Sequence, residues 1–106
     1  MVEQTLGENI ILVDFNLDDQ EMVVIKKIVG NYAKKIQNII PYQELKLELK
    51  NHKKNQDKAI RYELKAHLII DKGKANTQVE GLNPFMLVDE ALKKILTEIE
   101  HKTKKW

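Results

Sequence analysis

A chain of 106 residues with 42% hydrophobic and 32% charged residues has room for one packed domain and is too apolar to remain disordered. It contains no cysteine, which excludes disulfides, thiolate zinc sites and a cysteine nucleophile together. The net charge of +2 is unevenly spread: residues 1–21 hold six acids and no base, whereas residues 22–58 hold nine lysines against three acids. A basic middle on a near-neutral chain fits a local anionic partner, although the same lysines also suit solvated helix and loop faces.

Met1 to Gly7 carries no early Lys or Arg and no apolar stretch, so no secretory leader is expected and the segment reads as flexible. Asn9 to Phe15 is short and rich in β-branched and aromatic residues, the signature of a first strand. Asn16 or Asp18 then offers an N-cap, with Asp18, Asp19 and Glu21 placing negative charge at a helix start. Met22, Ile25, Val29, Tyr32, Ala33, Ile36 and Ile40 recur at helical spacing, and Lys26, Lys27, Lys34 and Lys35 fall off that stripe. Pro41 ends the helix.

Glu44 to Lys50 alternates, with Leu45, Leu47 and Leu49 on one face, and predicts a half-buried strand. Asn51 to Lys58 is polar and basic, a loop that carries Lys53 and Lys54. Arg61 to Ile70 alternates again, placing Tyr62, Leu64, Ala66, Leu68 and Ile70 inward. Asp71-Lys72-Gly73-Lys74 reads as a tight hairpin turn, and Lys74 to Glu80 as a weaker fourth strand. Asn83 and Pro84 suit the N-cap and first position of a second helix, whose apolar stripe is Phe85, Val88, Ala91, Leu92, Ile95, Leu96 and Ile99. His101 to Trp106 is a basic last turn and tail, flexible from residue 102. The whole chain, 1–106, is thus expected to be one α+β domain of order β-α-β-β-β-α, a four-stranded, mainly antiparallel sheet with both helices packed on one face.

Little in the chain points to catalysis. Walker, GxGxxG, HExxH and GxSxG motifs are absent, and His52, His67 and His101 sit in different elements without a second histidine or carboxylate at ligand spacing. No catalytic residue, metal, cofactor, small-molecule substrate or membrane contact is therefore expected, and no apolar run nears the roughly 20 residues a bilayer requires. A cytoplasmic location is expected.

The stretch Glu80-Gly81-Leu82-Asn83-Pro84-Phe85-Met86-Leu87-Val88-Asp89-Glu90-Ala91, leading to Lys93-Lys94-Ile95, resembles the bacterial ribosome hibernation-promoting factor family. Members enter this helix on an E-(G/D)-x-D-x-Y-x-A-I-D-x-A-x-x-K-L pattern. Glu80, Asp89, Ala91 and Lys94 match it outright, while Asn83, Phe85, Val88 and Ile95 stand for Asp, Tyr, Ile and Leu. Thr97, Glu98 and Glu100 depart from the basic continuation that the family usually shows, and Leu17-Asp18-Asp19-Gln20 departs from its usual first-helix opening. The resemblance implies a double-stranded-RNA-binding-like fold and a translation silencer that binds rRNA of the small ribosomal subunit. Surface lysines would make the contacts: Lys26, Lys27, Lys34 and Lys35 on the first helix, Lys53 and Lys54 in the loop, and Lys93 and Lys94 on the second helix. The alternative is a homo-oligomeric module of the same fold, with a second copy as partner and the polar sheet face or the fourth strand's edge as contact.

Overall fold

A computed structural model describes residues 3–6, 9–52 and 61–104. Strand β1 is Glu3–Leu6, β2 Ile10–Val13, helix α1 Asp19–Ile39, β3 Glu44–His52, β4 Arg61–Ile70, β5 Gly73–Gly81 and helix α2 Pro84–Lys104. The four strands and two helices read from the sequence are all present in the expected order. Strand β1 is an addition at the N-terminal end.

The strands lie in sequence order, β1-β2-β3-β4-β5. Neighbours are antiparallel except β2 and β3, which run parallel because α1 carries the chain back between them. Glu3–Leu6, expected to be flexible, pairs with Val13–Ile10 instead. The reason lies in β2: by register Ile11 and Val13 share the face of Lys46 and Glu48, while Ile10 and Leu12 share that of Leu45 and Leu47. A strand apolar on both faces is a poor edge, and β1 covers the side that β3 leaves open.

Both helices lie on the other sheet face. Leu45, Leu47 and Leu49 of β3, Leu64, Ala66, Leu68 and Ile70 of β4, and Ala75 and Val79 of β5 form one apolar cluster with them. Helix α1 contributes Met22, Ile25, Val29, Ala33 and Ile36, and α2 contributes Leu87, Val88, Ala91, Leu92, Ile95 and Ile99. Among the described residues no polar or charged side chain is buried, so the core is stabilised by apolar burial alone. Leu87 lies off the expected stripe. It is buried because Gly81 leaves room for it; a Cβ there would sit 3.2 Å from Leu87 Cδ2.

Local chemistry sets the boundaries. Asp18, not Asn16, caps α1: its Oδ1 accepts the Glu21 amide at 2.8 Å, and Glu21 Oε1 accepts the Asp18 amide at 3.1 Å. Asp14, at φ 56°, turns the chain out of β2 in a conformation that Asp tolerates better than most residues. Gly73, at φ 150°, opens β5 after the Asp71-Lys72 turn. Asn51 and His52, read as loop, extend β3 because they pair with Tyr62 and Arg61.

Asn83 Oδ1 accepts the amides of Phe85 at 2.9 Å and Met86 at 3.2 Å, which caps α2 ahead of Pro84. Asn83→Ala is expected to cost about 1 kcal/mol, read as a fall of about 5 °C in the thermal midpoint. Asn83→Gly should cost only a few tenths of that. At its far end α2 continues through Lys102, expected to be flexible; its Nζ donates to the Lys74 carbonyl at 2.7 Å and lies 3.3 Å from Glu98.

Candidate nucleic-acid interface

Lysines at positions 26, 27, 34, 35, 93 and 94 are all exposed. Lys53 and Lys54 lie outside the described residues. Successive helical residues are about 100° apart, so the buried stripe of each helix fixes where its lysines point. On α1, Lys27 and Lys34 are seven residues apart and lie nearly opposite Met22, Ile25, Val29 and Ala33. Lys35 lies between that outward line and α2, with its Nζ 5.1 Å from the Tyr32 ring centre. Lys26 falls on the flank away from α2.

The two helices meet along a seam marked by Tyr32, whose hydroxyl donates to Asp89 Oδ1 at 2.9 Å. Lys93 lines the shallow groove above this seam, together with Ile28, Phe85, Met86, Asp89 and Glu90. Lys94, one residue on, lies about 100° round the helix on the flank away from α1. There it pairs with Glu90 at 3.3 Å and borders a shallow surface with Lys93 and Thr97. The structure therefore does not put all six lysines on one face. Lys27, Lys34, Lys35 and Lys93 share the outward surface of the helical layer, while Lys26 and Lys94 sit on opposite flanks.

Two motif residues that core packing would not require have structural partners. Asp89 ties α2 to α1 through Tyr32, and Lys94 is matched by Glu90. Burial raises the Tyr32 pKa above its ordinary 10.0, and the hydrogen bond to Asp89 and the charge of that carboxylate push the same way. The hydroxyl thus stays protonated through the neutral range. Its contribution is complete below pH 10 and is lost as pH rises through the folded-state pKa. Tyr42 is also raised, by burial.

Two acids of the second helix are matched by lysines on the same helix, while Glu100, exposed and seven residues on from Lys93, lies on the same outward line as that lysine. Glu98 is paired with Lys102 at 3.3 Å, and Glu90 with Lys94 at 3.3 Å. By contrast, Lys27, Lys34 and Lys93 form no ion pair with any described residue.

On the open sheet face much of the charge is matched internally. Glu63 accepts Gln78 Nε2 at 2.9 Å and meets His52 Nε2 at 3.0 Å, with Lys65 at 3.9 Å; Arg61 meets Glu80 at 3.4 Å. The His52–Glu63 contact escapes a search by sequence spacing, since it crosses a strand pair, but follows once Arg61 is placed opposite His52. Among the described residues no group of three or more His, Cys, Asp or Glu is arranged to hold a metal, and no helix is long and apolar enough to cross a membrane.

No protein-family model matches the sequence, and no curated protein matches it. Solved structures do. A ribosomal subunit interface protein from Coxiella burnetii superimposes with a TM-score of 0.60 at 14% identity, over 92% of this chain and 99% of that one. The N-terminal domain of Protein Y from Thermus thermophilus gives a TM-score of 0.54 at 14% identity, over 93% of this chain and 99% of its own. Both alignments run almost end to end, so the likeness takes in the sheet, the crossover and both helices. The chain has the fold of a ribosomal subunit interface protein, the fold that its resemblance to the hibernation-promoting factors leads one to expect.

Proposed function

We propose that this protein associates with the small ribosomal subunit, binding rRNA through the lysines on the outward surface of its two helices, and silences translation by occupying the tRNA and mRNA path. It acts by binding rather than by catalysis, and in the cytoplasm, where ribosomes are. The observation that carries this reading is the set of Lys27, Lys34 and Lys93, unmatched by any described acid, on a fold shared with a ribosomal subunit interface protein.

The physical fit is direct. Structured RNA presents phosphates at regular spacing, and lysines on a rigid helical layer engage them as point charges without reading base sequence. Each contact releases counterions, so binding is tied to salt. Tyr32 and Asp89 hold the two helices in fixed relation, which keeps lysines from both in one surface.

Co-sedimentation of the purified protein with small ribosomal subunits, across a salt titration, tests the proposal. Saturable binding at one copy per subunit is expected, weakening at least about 30-fold between roughly 50 and 200 mM salt. Absence of binding at low salt, or binding indifferent to salt, would overturn it.

A further inference from the structure

Strand β5 is the outermost strand on its side of the sheet, and its nine residues, Gly73–Gly81, pair with β4 in unbroken register without a bulge or a proline. The opposite edge, β1, has only four residues. In an antiparallel ladder alternate residues direct their amide and carbonyl groups to opposite sides. Gly73 sits opposite Ile70 across a two-residue turn, so Gly73, Ala75, Thr77, Val79 and Gly81 bond to β4. Lys74, Asn76, Gln78 and Glu80 direct their main-chain groups outward. The phase is marked independently by the Lys74 carbonyl, which is open to Lys102 Nζ at 2.7 Å. No other described residue bonds to this edge.

We propose that β5 pairs with β5 of a second copy of this chain, antiparallel, about a two-fold axis at Thr77. The sequence of the strand is self-complementary about that residue. Lys74 falls opposite Glu80 of the second copy, and Asn76 opposite Gln78, all four being exposed on the open sheet face. On the helix side Ala75 meets Val79, both apolar, and Thr77 meets its own counterpart. Each is a favourable cross-strand pair; the two-fold produces every one of them twice except Thr77–Thr77, which lies on the axis and occurs once.

Other registers that keep outward groups facing each other lose this match. Moving the axis to Asn76 sets Lys74 against Gln78 and Glu80 against the turn residue Lys72. Moving it to Gln78 sets Glu80 against Asn76 and Lys74 against Leu82, beyond the strand. Only the Thr77 register sets all four outward residues opposite one another with both charge pairs. Asn76, Gln78 and Glu80 would share these new partners with His67, Glu63 and Arg61 of β4, to which they are already bonded. The Lys102 contact does not forbid it, because a carbonyl oxygen has two lone pairs.

Pairing yields one continuous sheet with all four helices on a single side. Lys27, Lys34 and Lys93 stay exposed in the dimer, so this interface stands apart from the proposed RNA surface. A strand-edge contact is small by the standards of permanent dimers, and association will be concentration-dependent.

Sedimentation equilibrium of the full chain, from low micromolar to millimolar concentration, tests the proposal. A monomer–dimer equilibrium is expected. Lys74→Glu places Glu opposite Glu80 and should weaken it about tenfold or more, while Lys74→Glu with Glu80→Lys restores the pairs and the dimer. Gln78→Pro removes an outward amide that β4 does not use, and should abolish dimers while far-UV circular dichroism stays that of the folded parent. A monomer at every concentration, a dimer indifferent to Lys74→Glu, or failure of the charge exchange to restore it would overturn the proposal.

Discussion

Replacing Lys27, Lys34 and Lys93 together by Glu is expected to weaken association with small ribosomal subunits about 100-fold at low salt and to flatten its salt dependence. Each lysine that neutralises a phosphate releases counterions, so three contacts account for roughly a 40-fold change in affinity over a fourfold change in salt. Reversing the charges removes that gain and adds repulsion. The fold should not suffer, because all three positions are exposed and Glu forms helix as well as Lys does. Lys26→Glu with Lys94→Glu, compared per reversed charge, is the flank control. These lysines lie on opposite flanks, and Lys94 is already paired with Glu90, so the change should cost several-fold less affinity. A triple variant that binds like the parent, or a flank pair that proves the more damaging, would remove the outward helix surface from consideration.

Much of the fold is legible along the chain because local signals and long-range packing agree. Leu45, Leu47 and Leu49, and then Leu64, Ala66 and Leu68, alternate strictly, and the structure buries each of them against the helices. Asn83 and Pro84 mark the start of α2 by capping chemistry alone. Strand β1 has no such signal: Glu3–Leu6 has no clear period, and its reason to pair is the open edge of β2, a property of another segment. Asn51 and His52 are strand only because Tyr62 and Arg61 lie opposite them. Leu87 is buried through the space at Gly81, which a helical wheel of α2 does not contain.

The candidate site divides the same way. Exposure of the six described lysines follows from their positions off the two apolar stripes, and periodicity supplies those stripes. Which lysines share a surface depends on how the helices are rotated against each other, and that is decided by contacts such as Tyr32 to Asp89, 57 residues apart. Periodicity within one helix says nothing about such a rotation. For the same reason adjacent Lys93 and Lys94, alike by sequence, differ in place: Lys93 lines the groove between the helices, and Lys94 lies on the flank away from α1, paired with Glu90.

Leu47→Ala is expected to produce the largest loss of stability considered, about 3–4 kcal/mol, with a fall of about 15 °C in the thermal midpoint. Leu47 is fully buried in β3, the middle strand, between Leu12 of β2 and Ala66 of β4. Its neighbours on both sides are held by the ladder, and Ala66 has no side chain long enough to move into the space. The cavity therefore stays largely open, and the lost contacts add to the lost transfer energy. A domain of this size has only roughly 5–15 kcal/mol in reserve, so urea denaturation should show a clear drop in midpoint at an unchanged slope. Lys46→Ala, one residue away on the open face, should stay within about 0.5 kcal/mol of the parent. Equal losses at the two positions would mean that the open face is covered. Below its midpoint Leu47→Ala should still bind small subunits as the parent does, since the outward lysines keep their places; loss of binding in the folded variant would make the core, and not the surface charge, the determinant of association.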